Sequence, residues 1–358
     1  MKKSLTALLL VLGFGVFLVA CDNDTATSEV NTPQAQTPTP TPTPTPEETV
    51  NTDPIRVVLY PNESGSEFAQ IRDYLSLHIT EATGRPVEII TTTHYNIAIQ
   101  AIAEGTADIA YMGPTGYIIA AGMNDNDVRA IFTSSGPSGT LDDAVYFAFI
   151  GVRYEDKHLW YAGNGEFDLS GLEGEVMSFV SPTSTSGFVV PGTFIVNYFG
   201  LANLDAVGQP GFFSQVNFPD SHPGSYHSVL TGQSNVGAFM NREQEFEHVG
   251  GPLNDTGMIK CVREDLGAPF DALAGQCIVA IHAITVPNAP FVANLSSGNL
   301  TEAEVDAIVD IFISDVVTNN PNFFGDPDDT SVMSWFARRE GQSHRFVRVD
   351  PSMYDDLR

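Results

Sequence analysis

A chain of 358 residues carrying 44 acidic against 16 basic side chains, for a formal net charge of -28, is poor material for nucleic-acid binding, because phosphate backbones are held by clustered Lys and Arg. Its 42% hydrophobic content supplies a core, and the length beyond the N-terminal segments fits two packed lobes better than one. Against so negative a bulk charge, any anionic ligand has to be held by local oriented dipoles and hydrogen bonds.

Lys2 and Lys3 precede an apolar run over 8–19, and Ala20 stands directly before Cys21. Residues 1–20 therefore read as an export signal rather than a membrane span, which needs about 20 apolar residues. Leu18-Val19-Ala20-Cys21 resembles the lipobox of bacterial lipoproteins, so Cys21 is the expected lipidation site. The expected location is then the cell membrane surface, facing the periplasm or the exterior. Residues 21–53, with Thr-Pro alternating over 37–46, cannot bury a core and read as an extended tether.

From residue 54 onward, strands and helices alternate. A strand is predicted over 55–60, and Ser64 with Glu67 forms a capping-box pattern ahead of a helix. Phe68, Ile71, Leu75 and Ile79 mark that helix's buried side and Gly84 its stop. A strand over 87–90, a helix over 93–103 and a strand over 107–111 follow. Strands alternating with helices imply a parallel sheet whose ligands sit beyond the carboxyl ends of the strands. Tyr60, Met112 and the helix start at His94 and Tyr95 should therefore face one crevice.

In the second half, strands are predicted over 175–180, 213–218 and 236–240, with helices over 193–199 and 224–230. Two long β-type runs, 144–152 and 277–286, read as crossovers between lobes. A last helix over 302–313 has Val305, Ile308, Val309 and Phe312 on one face and returns to the first lobe. The expected boundaries are 54–147 with 283–358 for lobe 1, and 148–282 for lobe 2.

Between the strand over 175–180 and its helix lies Ser181-Pro182-Thr183-Ser184-Thr185-Ser186-Gly187. Four consecutive hydroxyl side chains, a glycine that lets backbone approach a ligand, and a helix start place several O–H and N–H donors around one point. That suits a tetrahedral oxyanion, although Ser184 or Ser186 could equally serve as a plain helix cap. Cys261 and Cys277 remain. In an exported chain the pair suggests one disulfide, closing a loop worth roughly 3 kcal/mol in the chain-entropy account. Metal binding is the weaker reading, since neither has a His or second Cys at short ligand spacing.

The segments 93–113, Ser-Pro-Thr-Ser-Thr-Ser-Gly-Phe-Val-Val-Pro-Gly from Ser181, and Phe218-Pro219-Asp220-Ser221-His222, in this order, resemble the phosphonate, phosphite and phosphate family of type II periplasmic solute-binding proteins (PhnD-like). The resemblance covers most of the chain beyond the tether. It implies an α/β fold of two lobes, each with a mixed, mostly parallel sheet flanked by helices and joined by two crossover strands. It also implies an ABC-importer component that captures a phosphorus oxyanion and delivers it to a membrane permease. No enzyme activity, metal or cofactor is implied. A Gly-Lys-Ser/Thr nucleotide loop is absent from the sequence, so the ATPase is expected on a separate polypeptide.

Carried over by motif, Tyr95 covers the ligand from lobe 1, Ser184, Thr185 and Ser186 hold its oxygens from lobe 2, and His222 closes the ring. Where aminoalkyl-phosphonate binders hold an ammonium group with aromatic and acidic residues, this chain offers Tyr111, Met112 and His282. Glu243 and Glu245 align poorly, so the expected ligand lacks an amine. Two alternatives stay open on the residues alone. One is a sensory oxyanion-binding protein that serves a kinase. The other is a serine hydrolase using Ser184 or Ser186 with His222 and Asp220, against which stands the absence of Gly-x-Ser-x-Gly around the serine. A metal site from His222, His227 and Asp220 lacks a helix-spaced ligand pair with a matching third ligand.

Overall fold

The computed structural model describes residues 51–123, 127–329 and 331–357. The signal over 1–20, Cys21 and nearly all of the tether lie outside the described residues. Among the described residues no helix is long and apolar enough to cross a membrane.

Two mixed sheets organise the chain. The first is built from β1 (Ile55–Leu59), β2 (Val87–Thr91), β3 (Ile109–Tyr111), β4 (Val128–Ser134), and two late strands. The second takes β5 (Val145–Arg153), β6 (Val176–Ser178), β7 (Gln215–Asn217), β8 (Val236–Met240), β9 (Phe246–Gly250), β10 (Ile259–Val262) and β11 (Cys277–Pro287). The late strands of the first sheet are β12 (Pro290–Asn294) and β13 (Phe346–Arg348). The orders are β13-β4-β12-β3-β1-β2 and β9-β10-β11-β5-β8-β6-β7.

The parallel pairs are β1 with β2 and β3, and β6 with β7 and β8. The other ladders of both sheets are antiparallel, so the sheets are mixed rather than mostly parallel. The reason lies in the connections. Parallel neighbours need a crossover helix, which the β1-to-β3 and β6-to-β8 stretches supply; the helix between β3 and β4 supplies one too, but β12 lies between those two strands and keeps them from pairing. The strands that arrive from the other sheet, β5 and β12, enter antiparallel.

Both faces of each sheet are covered. Val57 and Leu59 of β1 join a core with helix α1 (Ala69–Thr83), while Val58 points the other way into a second core with α2 (Tyr95–Ala103) and α3 (Pro114–Met123). The second sheet repeats this. Ile150 and Val152 of β5 join a core with α4 (Val190–Phe199), and Phe149 one with α5 (His222–Leu230). Helix α6 (Glu302–Phe312) packs on α1. Its predicted face of Val305, Ile308, Val309 and Phe312 is buried, as are Phe68, Ile71, Leu75 and Ile79 around α1.

The capping box stands at the other of these two helices. At α1 the N-cap is Phe68 with no side-chain cap bond, and the Ser64 hydroxyl instead donates to the Tyr60 and Thr92 carbonyls at 3.2 and 3.1 Å. At α6, Thr301 and Glu304 form a complete capping box. Cys261 and Cys277 are bridged and sit directly opposite each other on β10 and β11.

Among the described residues the chain passes between the sheets twice, from β4 to β5 and from β11 to β12. The Asn288 side chain donates to the Ser134 and Ser135 carbonyls at 2.8 and 3.4 Å, and its backbone N–H donates to the Ala144 carbonyl at 3.0 Å. One residue thus ties the two passages together.

Candidate functional site

The carboxyl ends of β1, β3, β6, β7 and β8 all open on one cavity of about 530 Å³, lined from both sheets. Each strand is followed by a turn into a helix or a tight loop, so helix beginnings gather there. Tyr95 opens α2, Gly113 precedes α3, Thr185 opens a π-helical turn (Thr185–Val189) that leads into α4, and His222 opens α5. Helix N-termini carry partial positive charge and unpaired N–H groups. Here they supply locally the polarity that a net charge of -28 opposes.

Ser184 is the N-cap of the π-turn, where its Oγ accepts from the Gly187 N–H at 3.1 Å. Gly187 is required for packing. A β-carbon there would lie 2.4 Å from the Val180 side chain. Thr185 Oγ1 accepts from the Thr115 N–H at 2.9 Å, which joins the two sheets' helices across the cavity floor. Tyr95, stacked on Tyr60 with ring centroids 4.0 Å apart, accepts at its hydroxyl from Asn62 Nδ2 at 2.7 Å. The Asn62 Oδ1 in turn accepts from the His222 N–H at 2.9 Å. Tyr146 of β5 brings its hydroxyl to Ser186.

His222 is 2% exposed. Its Nδ1 accepts from the Met240 N–H at 3.0 Å, and Nε2 lies 3.3 Å from Ser186 Oγ. Burial, assisted by the Arg242 guanidinium, pushes the imidazole well below its ordinary pKa. The ring is therefore neutral with Nδ1 bare, so its proton is on Nε2, facing the hydroxyl cluster. A hydrolase base needs the opposite arrangement, with a carboxylate on Nδ1–H and a bare Nε2 toward the serine. Asp220, the acid of that reading, instead accepts from His94 Nδ1 at 2.8 Å. His227 lies against Phe270, away from any metal trio.

Among the described residues, the structure thus brings Tyr95, Tyr111, Ser184, Thr185, Ser186 and His222 to the cavity. It does not bring Met112 or His282. Met112 is fully buried in the core between β3 and its flanking helices, because strand alternation turns it away from Tyr111. His282, after an irregularity in the β5–β11 register, stacks on Phe194 of α4 at 3.9 Å.

A second group also lines the cavity, of which Glu63 and Arg242 were unforeseen from the sequence and Glu243 was set aside there as poorly aligned. Glu63 follows β1 and Arg242 and Glu243 follow β8. The buried Arg242 guanidinium donates to Glu245 through Nε at 2.6 Å and to the Asn62 carbonyl at 3.4 Å. Glu243 bridges Lys260 at 3.1 Å and Arg339 at 3.3 Å. Burial would raise its carboxyl, but these two cations hold it below the usual value. Burial also draws the Lys260 ammonium down to about 8. These residues were readable in principle, since they stand at the same carboxyl strand ends as the hydroxyl cluster.

Residues 57–354 match the family described as the periplasmic substrate-binding protein of the phosphonate ABC transporter. The chain belongs to that family. It is a family of substrate-binding components rather than enzymes. The Phosphate-import protein PhnD of Mycolicibacterium smegmatis is 22% identical over 187 residues, covering 52% of this chain and 54% of the relative. The chain thus spans about half the length of that curated relative. A binding protein component of an ABC phosphonate transporter from Pseudomonas aeruginosa superposes with a TM-score of 0.58 at 17% identity, over 85% of this chain and 83% of that one. A protein from Prochlorococcus marinus, solved in complex with methylphosphonate, gives 0.59 at 15% identity, over 86% and 96%. At these identities the structural likeness carries the fold alone.

Proposed function

We propose that this member of the phosphonate-binding family captures a phosphorus oxyanion in the cavity between its sheets and delivers it to an ABC permease driven by a separate ATPase. One observation carries the reading. The polar atoms of the floor each already accept one hydrogen bond from a protein N–H group. Ser184 Oγ accepts from Gly187, Thr185 Oγ1 from Thr115, the Tyr95 hydroxyl from Asn62, and His222 Nδ1 from Met240. The imidazole has only its Nε2 proton left to offer, and each hydroxyl still has an O–H to donate. A site made of donors fits a ligand made of acceptors, which is what a phosphoryl or phosphonyl group is.

Phosphonate is favoured over phosphate and phosphite because a cavity of about 530 Å³ has room for an organic substituent beside the oxyanion. The relatives named above bracket the class, one solved with methylphosphonate and one named for phosphate import. In this reading lobe 1 (54–147 with 283–358) and lobe 2 (148–282) close on the ligand, and Cys21 anchors the protein to the membrane.

Titration calorimetry with methylphosphonate, phosphite, phosphate and arsenite tests the ligand class, and absence of binding by all four would sink it. The Ser184→Ala/Thr185→Ala double variant tests the site. Two lost hydrogen bonds to a charged group, at about 1.5–3 kcal/mol each, predict affinity lower by two orders of magnitude or more.

A further inference from the structure

Glu63 closes the one-turn helix Pro61–Glu63 directly beyond β1 and lines the cavity. It is 3% exposed, yet its Oε2 has no hydrogen-bond partner. The cation best placed to neutralise it, Arg242, is already committed to Glu245 and the Asn62 carbonyl. Arg72 reaches only the Glu63 backbone carbonyl, at 2.6 Å. A carboxylate here would be an acceptor facing an anion in a floor of donors, whereas a neutral carboxyl would add one more donor to the set.

We propose that Glu63 holds the ligand as a neutral acid, donating its proton to an oxyanion oxygen, and so couples capture to pH. The proposal rests on the oxyanion reading above and names the residue that regulates that site. Burial supports it by raising the Glu63 carboxyl to about 8 against the pull of Arg242, with Glu245 adding to the rise. The other titratable groups around it are Tyr95, Tyr111 and Tyr60, all pushed upward by burial first and by Glu63 among their neighbouring charges. These phenols stay neutral where Glu63 titrates. Lys260 also titrates near 8, one shell away behind Glu243. A comparison that changes Glu63 alone separates the two.

The test is methylphosphonate calorimetry from pH 6.5 to pH 9 on the parent and on Glu63→Gln. The variant keeps the shape and one N–H donor but cannot ionise. Relative to the variant, the parent is expected to lose about tenfold in affinity between pH 7 and pH 9, the linkage of one proton. The ligand's own ionisation is common to both and cancels. Parallel profiles, or a parent that gains affinity over the variant as pH rises, would overturn the proposal while leaving the oxyanion reading intact. No binding by the parent at any pH would overturn both. A measurement on the parent alone guards against a variant that fails to fold. At pH 9, calorimetry in buffers of different ionisation enthalpy should show uptake of close to one proton on binding, and zero uptake refutes the role.

Discussion

At His222 a backbone amide decides the chemistry. The Met240 N–H occupies Nδ1 and so fixes the proton on Nε2, making the ring a permanent donor where the same residue type elsewhere is a base. The sign of the pH effect follows. In the unfolded chain the imidazole takes a proton near 6.5, whereas in the fold burial holds it well below that. The unfolded state therefore binds more protons as pH falls through 6.5, and stability is lost toward acid. His222→Gln should flatten that acid limb in thermal unfolding while weakening ligand binding, and an unchanged limb would count against the neutral ring. That Tyr95, Ser184, Thr185, Ser186 and His222 gather at one cavity was legible from the family resemblance of their motifs and from their places at predicted helix starts. Met112 and His282 were misplaced for a physical reason. Which face of a strand a residue occupies depends on register, and an irregularity between Ala280 and His282 shifts it. Glu63 and Arg242 were missed because an isolated charged residue in a sequence reads as surface until burial is known.

Among the elements, the strands and helices with regular apolar spacing were readable nearly to the residue. The strand predicted over 236–240 is β8 without change, and the helix over 302–313 is α6 with one residue fewer. Helix α3 was not foreseen, since Pro-Thr-Gly-Tyr-Ile-Ile-Ala-Ala-Gly-Met has apolar or small residues on all sides and so no face to detect. The two capping patterns show how context selects among identical local signals. Thr301→Ala removes a cap that the fold uses and should cost about 1 kcal/mol in denaturant unfolding. Ser64→Ala removes no helix cap. At the π-turn, Gly187→Ala drives a β-carbon into Val180. It should destabilise the protein by about 1–3 kcal/mol and displace the hydroxyls of Ser184 and Ser186, to be read as a joint loss of melting temperature and affinity.

Across the whole molecule, charge and connectivity set the behaviour. With a net charge of -28, encounter with an anion is opposed at long range, so association with methylphosphonate should quicken as ionic strength rises. Stopped-flow rates that fall with salt would point to a cationic funnel that this chain's composition does not suggest. The two-sheet plan was legible from the restart of the strand–helix pattern, whereas the antiparallel balance was not, because it depends on which strands cross between sheets. Asn288→Ala cuts the tie between the two passages and should cost about 1–3 kcal/mol. Its ligand should also dissociate faster with little change in association. The passages are themselves part of the cavity wall, through Ser134 and Ser135 on one side and Asn288 and Ala289 on the other. In the proposed reading, an occupant pressed against them would splint both passages at once, so the stiffness that a membrane partner would sense is set at the same atoms that would feel the cargo.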